Sequence, residues 1–170
     1  MNFLYPDLYV KNVAAVPYDK LLKKGITTLV FDIDNTLVPF DEPEADERLV
    51  AFIEGLKDKG FTVALLSNNN QERVEYFNRK LDVIAVYNAK KPNTQGINRV
   101  LRLAEAYPAQ AAMIGDQVFT DVWVGNRKGM ITILTRPIEK RDTFGVTLKR
   151  GPERLIVKAF VKKIKRNRGF

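Results

Sequence analysis

Cysteine and histidine are both absent from the 170-residue sequence. The absence of cysteine excludes disulfides, thiolate metal sites and cysteine nucleophiles. The absence of histidine removes the commonest general base and any phosphate transfer through histidine, so catalysis has to use carboxylates, hydroxyls or lysines. Apolar runs of the roughly 18 residues that a membrane span needs are also missing. The first 16 residues contain Pro6, Asp7 and Lys11, so they do not resemble a secretory signal peptide. We therefore expect the protein to be cytoplasmic.

The charge of the chain is unevenly distributed. Hydrophobic residues make up 45% and charged residues 28% of the sequence, as is ordinary for one globular domain of this length. The formal net charge is +8, and all of the excess lies in residues 149–170, where nine basic residues face Glu153 alone. This end of the chain therefore predicts a polyanionic partner.

Short apolar runs alternate with stretches of helical spacing along the chain. Five runs are predicted to be strands: 26–31, 61–66, 83–86, 111–114 and 131–134. Strands that alternate with helices indicate right-handed crossovers and a parallel sheet covered on both faces. We therefore predict an α/β fold, a single Rossmann-like, doubly wound domain with a five-stranded parallel sheet.

The predicted domain spans residues 1–170 and divides into three parts. Residues 1–25 are predicted to form an irregular aromatic arm with a short helical turn near residues 19–24. We expect this arm to cover a hydrophobic flank of the domain. Residues 26–136 form the predicted catalytic core. Residues 137–170 form a basic C-terminal segment.

Two carboxylates directly follow the first predicted strand. Asp32 and Asp34 would leave the strand on the same side, at the carboxyl end where open α/β sheets bind ligands. Two acids this close repel each other unless a cation or a shared proton relieves them, so the pair favours a metal site. The alternative is ordinary turn chemistry, since aspartate and asparagine are common in turns.

Polar side chains follow three further predicted strands. In chain order the four sets are Asp32 with Asp34, Ser67 with Asn68, Lys90 with Lys91, and Asp116 with Asp121. Each set has a plain alternative: a helix cap, a solvated surface pair or a turn. The carboxyl ends of parallel strands meet at one edge of a sheet, however, so the pattern favours a single catalytic site.

The chain resembles the haloacid dehalogenase superfamily of phosphohydrolases, in its capless subclass. The match covers about residues 26–136 and includes the family's four motifs in order: Asp32-Ile33-Asp34-Asn35-Thr36, Ser67, a lysine before Pro92, and Gly115 to Asp121. The resemblance implies a phosphatase, that is, a phosphoric monoester hydrolase, with Mg²⁺ as cofactor.

The resemblance also implies roles for the reacting groups. Asp32 would attack phosphorus and become an aspartyl phosphate. Asp34 would protonate the leaving alkoxide and then deprotonate the hydrolytic water. Ser67, Asn68 and nearby backbone N–H groups would bind the phosphoryl oxygens.

A lysine and a metal ion would neutralise charge in the implied site. Lys91 is favoured over Lys90 because the family lysine directly precedes proline. Mg²⁺ would be bound by Asp32, the Asp34 carbonyl and Asp116, with waters completing the octahedron. Asp121 would orient a metal-bound water or the lysine from outside the ligand shell.

The spacing of the motifs narrows the substrate class. The gaps 38–66 and 68–90 are each filled by one helix and one strand, which leaves no room for the cap domain of larger relatives. An open site suits a phosphate carried on a polymer, a protein or a lipid.

The C-terminal segment favours a lipid. Ile156, Phe160 and Ile164 share one face of a predicted helix, and basic residues share the opposite face. Such a helix is typical of a peripheral anchor on an anionic membrane surface, although the apolar face could instead pack on the domain.

The whole chain further resembles the small bacterial subfamily related to mitochondrial phosphatidylglycerophosphatase, which implies dephosphorylation of phosphatidylglycerophosphate to phosphatidylglycerol. Two alternatives are a phosphatase of soluble sugar phosphates or nucleotides, and a nucleic-acid or ribosome-binding factor that uses the basic tail. The intact acidic and lysine set argues against the second, so nucleic acid is not the first expectation.

Overall fold

The computed structural model describes residues 3–40, 42–139, 152–153 and 155–161. Their strands form one parallel sheet in the order β1-β6-β5-β2-β3-β4. The strands are β1 (Leu8–Val10), β2 (Thr28–Phe31), β3 (Thr62–Leu66), β4 (Ile84–Val86), β5 (Ala111–Gly115) and β6 (Ile131–Thr135). The chain runs outward from β2 to β4 and then returns to the other side of β2, so the strand order reverses between β2 and β5. Ligands of doubly wound sheets bind at such a reversal.

Helices connect the strands, as the alternating pattern predicted. They are α1 (Tyr18–Lys23), α2 (Glu47–Asp58), α3 (Gln71–Asn78), α4 (Thr94–Leu103) and α5 (Trp123–Lys128). Three of them begin at a polar cap, where Asp46, Asn70 and Asn93 each accept a hydrogen bond from a backbone N–H of the first turn. Gly129, with a φ of +72°, ends α5 in the left-handed conformation that glycine adopts without steric cost.

The described residues form a sheet of six strands, so the prediction of five was one short. The predicted irregular arm contains β1, which pairs with β6 at the edge of the sheet. Asp7 attaches this strand: its N–H donates to the Thr132 carbonyl oxygen (2.9 Å), and its Oδ2 accepts from the Thr132 N–H (2.8 Å). A half-buried strand of three residues is too short to show a period in the sequence, which is why the pattern missed it.

Both faces of the sheet are buried, as predicted. Side chains alternate along β2, so Leu29 and Phe31 face one core while Val30 faces the other. The first core includes Ile53 of α2 and Phe77 of α3. The second core is closed by α4 and α5. Between β2 and β4 the described residues contain α2 and α3 as their only helices, which agrees with the one helix predicted for each gap.

The described part of the C-terminal segment packs on the protein. Residues 152–153 and 155–161 are helical. Phe160 is buried and lies 5.9 Å from the ring of Tyr5, and Ile156 and Val157 contact the small cluster around Val118. Of the two uses that the sequence left open for this apolar face, packing on the domain is the one observed here.

The basic side of this segment is only partly described. Lys158 is exposed, whereas the other eight basic residues of the segment 149–170 lie outside the described residues. No helix in the described part of the chain combines the length and the apolar character needed to cross a membrane.

Replacing each of two glycines by alanine should change the free energy of unfolding in opposite directions. A Cβ on Gly125 of α5 would lie 2.5 Å from Thr132 Cγ2 and 3.0 Å from Met113 Cβ, whereas a Cβ on Gly55 of α2 would meet nothing within 4 Å. We expect Gly125→Ala to lower the free energy of unfolding by about 1–3 kcal/mol through overpacking. Gly55→Ala should raise it by about 0.5–1 kcal/mol. Urea unfolding measures both, and equal effects would contradict this packing of α5 on the sheet.

Candidate active site

Asp32 and Lys91 form the centre of the candidate site. Asp32 directly follows β2, and Lys91 lies in the loop between β4 and α4. Both are buried, and Lys91 Nζ donates to Asp32 Oδ1 at 2.5 Å and to Asp121 Oδ1 at 2.7 Å. Thr36 Oγ1 donates to the other oxygen of Asp32 at 3.3 Å. The structure thus places Lys91 beside Asp32, whereas Lys90 is exposed to solvent.

Three buried carboxylates share this site. Oxygens of Asp32, Asp116 and Asp121 all lie within 4.8 Å of one another. Lys91 is the one lysine or arginine buried among the described residues, so the carboxyl groups of this cluster outnumber its buried cations by two. Carboxylate oxygens are the donors that hard divalent cations prefer, and such an ion would offset this excess. The residues therefore fit a divalent metal.

The environment shifts the ionisation of the central pair. Burial raises the pKa of Asp32 well above its usual range, Asp121 and Asp116 act in the same direction, and Lys91 opposes them. Burial lowers the pKa of Lys91, but the Asp121 and Asp32 carboxylates outweigh it, so this pKa lies above its usual range. Lys91 is therefore held as an ammonium ion between its two partners.

Asp34 lies beside this cluster with its own partners. Asn69 Nδ2 donates to Asp34 Oδ2 at 2.5 Å, and Arg73 Nη2 lies 3.3 Å from Asp34 Oδ1. Arg73 also donates to the carbonyl oxygens of Glu42 (2.6 Å) and Pro43 (2.9 Å), so it connects α3 to the loop that follows β2. Burial raises the pKa of Asp34, while Arg73 and the Asn69 hydrogen bond lower it.

Sequence reasoning missed both Asn69 and Arg73. Asn69 was visible only as part of a polar run after β3, and Arg73 only as one more polar residue at the start of a helix. Their contacts with Asp34 span 35 and 39 residues of sequence, and no local pattern reports such a contact.

The loops after β3 and β4 are joined by hydrogen bonds. Ser67 is buried, and its Oγ accepts from the Asn69 N–H at 3.1 Å. Asn68 Oδ1 accepts from the Lys91 N–H at 2.7 Å, and the Ser67 carbonyl oxygen accepts from the Ala89 N–H at 3.0 Å. Asn68 is therefore observed to hold the backbone of Lys91, a contact that its predicted role did not include.

Asp121 is positioned by an unusual turn. It lies in a π-helical segment, Val118–Val122, and its Oδ2 accepts from the Gln117 N–H at 3.1 Å. A Cβ on Gly115 would lie 2.3 Å from this carboxylate, so only glycine permits the close approach. Of the two contacts predicted for Asp121, the contact with the lysine is the one observed.

The C-terminal segment contacts the same turn. Glu153 Oε1 accepts from the Phe119 N–H at 3.2 Å. Deleting residues 152–170 would therefore disturb the turn that carries Asp121, so a truncation cannot separate the role of the basic tail from that of the site.

A family model for mitochondrial PGP phosphatases matches residues 1–139. The chain is 38% identical over 162 residues to the probable phosphatase YqeG of Bacillus subtilis, covering 95% of this chain and 94% of that one. It is 26% identical over 172 residues to phosphatidylglycerophosphate phosphatase 1 (chloroplastic/mitochondrial) of Arabidopsis thaliana. That alignment covers 95% of this chain but 49% of the plant protein, so the chain spans about half the length of this relative.

The fold also matches a solved phosphatase. The cobalt-bound deoxy-D-mannose-octulosonate 8-phosphate phosphatase of Haemophilus influenzae aligns with a TM-score of 0.51 and 18% identity, over 82% of this chain and 88% of that one. At this level of identity the likeness shows the fold.

A divalent cation should stabilise the protein through Asp116. We expect Mg²⁺ at about 100 times its Kd to add about 2.7 kcal/mol to the free energy of unfolding. For a chain of this size that corresponds to a rise in Tm of about 5–10 °C. EDTA should reverse the rise, and Asp116→Asn should remove most of it, because the cluster would then offer one carboxylate fewer to the cation. Thermal unfolding measures the effect.

The exposed Asp58 of α2 provides the matched control, since Asp58→Asn removes the same charge away from the site. The Tm of the Asp58→Asn variant should rise with Mg²⁺ by as much as the Tm of the unaltered protein. An equal rise in Asp116→Asn would show that the cation binds elsewhere.

Proposed function

Since the chain belongs to the mitochondrial PGP phosphatase family of haloacid dehalogenase-type phosphoric monoester hydrolases, we propose that it removes the terminal phosphate of phosphatidylglycerophosphate to give phosphatidylglycerol. The reaction proceeds through an aspartyl phosphate on Asp32, with Mg²⁺ as the bound metal. The observation that carries the proposal is the family match over residues 1–139, which include the whole buried cluster around Lys91. The plant relative is a phosphatidylglycerophosphate phosphatase by name, which supports the lipid as substrate.

In the first half-reaction an oxygen of Asp32 attacks phosphorus as the bond from phosphorus to the alkoxide breaks. Asp34 gives its proton to the departing alkoxide, and the raised pKa of Asp34 suits a group that must carry a proton. Asn69 and Arg73 hold both oxygens of Asp34 and so fix where the proton is delivered. Ser67 Oγ–H and Lys91 offset the charge on the phosphoryl oxygens.

In the second half-reaction a water molecule attacks the aspartyl phosphate. Asp34, now a carboxylate, takes a proton from this water, the bond between Asp32 and phosphorus breaks, and inorganic phosphate leaves. Asp32, Asp116 and the Asp34 carbonyl would hold Mg²⁺, which neutralises charge on the transferring group. Mg²⁺ is favoured among divalent ions because it keeps several waters and accepts few carboxylates.

Two exposed apolar side chains at the rim of the site, Phe40 and Ile138, favour a substrate that lies in a bilayer. Phe40 and Ile138 are 41% and 47% exposed and follow β2 and β6, at the same edge of the sheet as Asp32. The Ile138 N–H donates to the Asn35 carbonyl oxygen, so the two loops meet beside the site. Exposed apolar side chains around an open site suit contact with lipid, where they would leave water. The protein would then act as a peripheral enzyme at the cytoplasmic face of an anionic membrane.

Asp32→Asn should abolish turnover, because an amide cannot form the aspartyl phosphate. Asp34→Asn should retain some activity and lower kcat by about 10²–10⁴-fold, because the acid and base are lost. Steady-state release of phosphate from phosphatidylglycerophosphate measures both, with urea unfolding as the check that each variant is folded. Normal turnover by Asp32→Asn would exclude it as the nucleophile.

Replacing the exposed rim should affect lipid hydrolysis selectively. We expect Phe40→Ser with Ile138→Ser to raise the KM for phosphatidylglycerophosphate in vesicles by about 10-fold or more, since burial of each such side chain contributes about 1.5–3 kcal/mol. Hydrolysis of p-nitrophenyl phosphate in solution should be unchanged.

Tyr107→Ser is the matched control, because Tyr107 is 76% exposed and precedes β5 at the opposite edge of the sheet. An equal loss in the control, or an equal loss with the soluble substrate, would count against contact between the rim and a bilayer. Unaltered protein that hydrolyses soluble phosphates but not the lipid would refute the proposed substrate.

A further inference from the structure

A cleft of about 300 Å³ lies between the loop after β4 and the first turns of α4. Its polar lining consists of Asn88 and Lys90 from the loop and Gln95 and Arg99 from the helix. Lys90 is the lysine that the catalytic cluster does not use. The cleft thus presents two cations and two side-chain amides to solvent, outside the cluster of buried carboxylates.

Neither cation of the cleft forms an ion pair within the part of the chain that the structure describes. Lys90 is exposed, and the Arg99 guanidinium lies over the ring of Tyr87, 5.7 Å from its centroid. Stacking on an aromatic ring orients a guanidinium and leaves its N–H groups available for an oxyanion. The charge and the donors of this cleft therefore suit an anion with several oxygens.

The cleft is held at a fixed place beside the catalytic cluster. The Asn88 N–H donates to the Asn69 carbonyl oxygen (2.8 Å), next to the hydrogen bonds that join Ala89 to Ser67 and Lys91 to Asn68. The loop therefore carries Lys90 into the cleft and Lys91 to Asp32, and consecutive Cα atoms lie only about 3.8 Å apart. The cleft is therefore formed by the same loop that supplies Lys91 to the catalytic cluster.

We propose that this cleft is a second anion subsite and binds the phosphodiester of the substrate while the terminal phosphate lies at Asp32. The proposal rests on the proposed function. Phosphatidylglycerophosphate carries a phosphomonoester and a phosphodiester separated by one glycerol, and the diester bears one negative charge. Lys90 and Arg99 would pair with its oxygens, while Asn88 and Gln95 would donate hydrogen bonds. The subsite would select substrates that carry a diester next to the phosphate that is removed.

The test compares substrates with and without the diester. Lys90→Gln and Arg99→Gln should each raise the KM for soluble dihexanoyl phosphatidylglycerophosphate by about 10-fold, the effect of losing a charge-assisted hydrogen bond, with kcat unchanged. For glycerol 3-phosphate, which lacks the diester, kcat and KM should stay within about twofold of the unaltered enzyme. An equal effect on both substrates would mean that the residues position Lys91, and would overturn the subsite.

Arg102→Gln is the matched control, since Arg102 is an exposed arginine of the same helix that does not line the cleft. Its KM for both substrates should equal that of the unaltered enzyme. A rise comparable to that of Arg99→Gln would show a general effect of surface charge and overturn the proposal.

A binding measurement separates failure of the subsite from failure of the proposed function. Glycerophosphoglycerol, a diester without a phosphomonoester, should bind the unaltered enzyme with a Kd that rises about 10-fold in Lys90→Gln and Arg99→Gln. Calorimetry measures this binding even if the lipid proves to be no substrate. Absence of binding to the unaltered enzyme would overturn the subsite whatever the physiological substrate is.

The source of the diester is decided by comparing monomeric and vesicle-bound lipid. If the variants affect hydrolysis only in anionic vesicles, the cleft binds the head group of a neighbouring lipid, and the assignment to the substrate itself is wrong. If they affect the dihexanoyl substrate below its micellar concentration, the diester belongs to the molecule being hydrolysed.

Discussion

The buried ion pairs of Lys91 are the interaction on which the rest of this structure depends. One ammonium group lies between Asp32 and Asp121, taken out of water together with a third carboxylate, Asp116. Removing such charges from water costs several kcal/mol for each ion, and the cost is offset only where partners are placed accurately. The cluster is therefore expected to destabilise the fold on balance, and a divalent cation bound by its carboxylates would offset this cost.

Accurate placement comes from the order of the strands. Asp32 follows β2 and Asp116 follows β5, and these strands are direct neighbours in the sheet. Lys91 reaches them from the far side of β3 because hydrogen bonds join the loops after β3 and β4. Gly115 lets the Asp121 carboxylate approach closely. The apolar cores on both faces keep the strand ends in register and thereby stabilise an arrangement that its own charges disfavour.

The proposed function assigns the chemistry and the choice of substrate to different layers of the molecule. The carboxylates and Lys91 are buried, where low polarity strengthens every electrostatic interaction. Around them, four exposed side chains lie outside the buried cluster: Phe40, Ile138, Lys90 and Arg99. Since the described residues form no cap over the site, the proposed lipid substrate would meet these exposed side chains. Proteins with the same buried cluster can therefore differ in substrate through changes in the exposed side chains around it.

The sequence by itself determined the class of the fold, the helix in each gap between the motifs and the site residues that the structure brings together. Those features follow from local patterns: apolar runs, helical spacing and polar residues directly after strands. It did not determine β1, the packing of the C-terminal helix, or the partners Asn69 and Arg73 of Asp34. These depend on contacts between segments far apart in the chain, such as Asp7 with Thr132, 125 residues later. Only the tertiary structure decided that Lys91, rather than Lys90, lies beside Asp32, because the path of one loop sends adjacent side chains to different places.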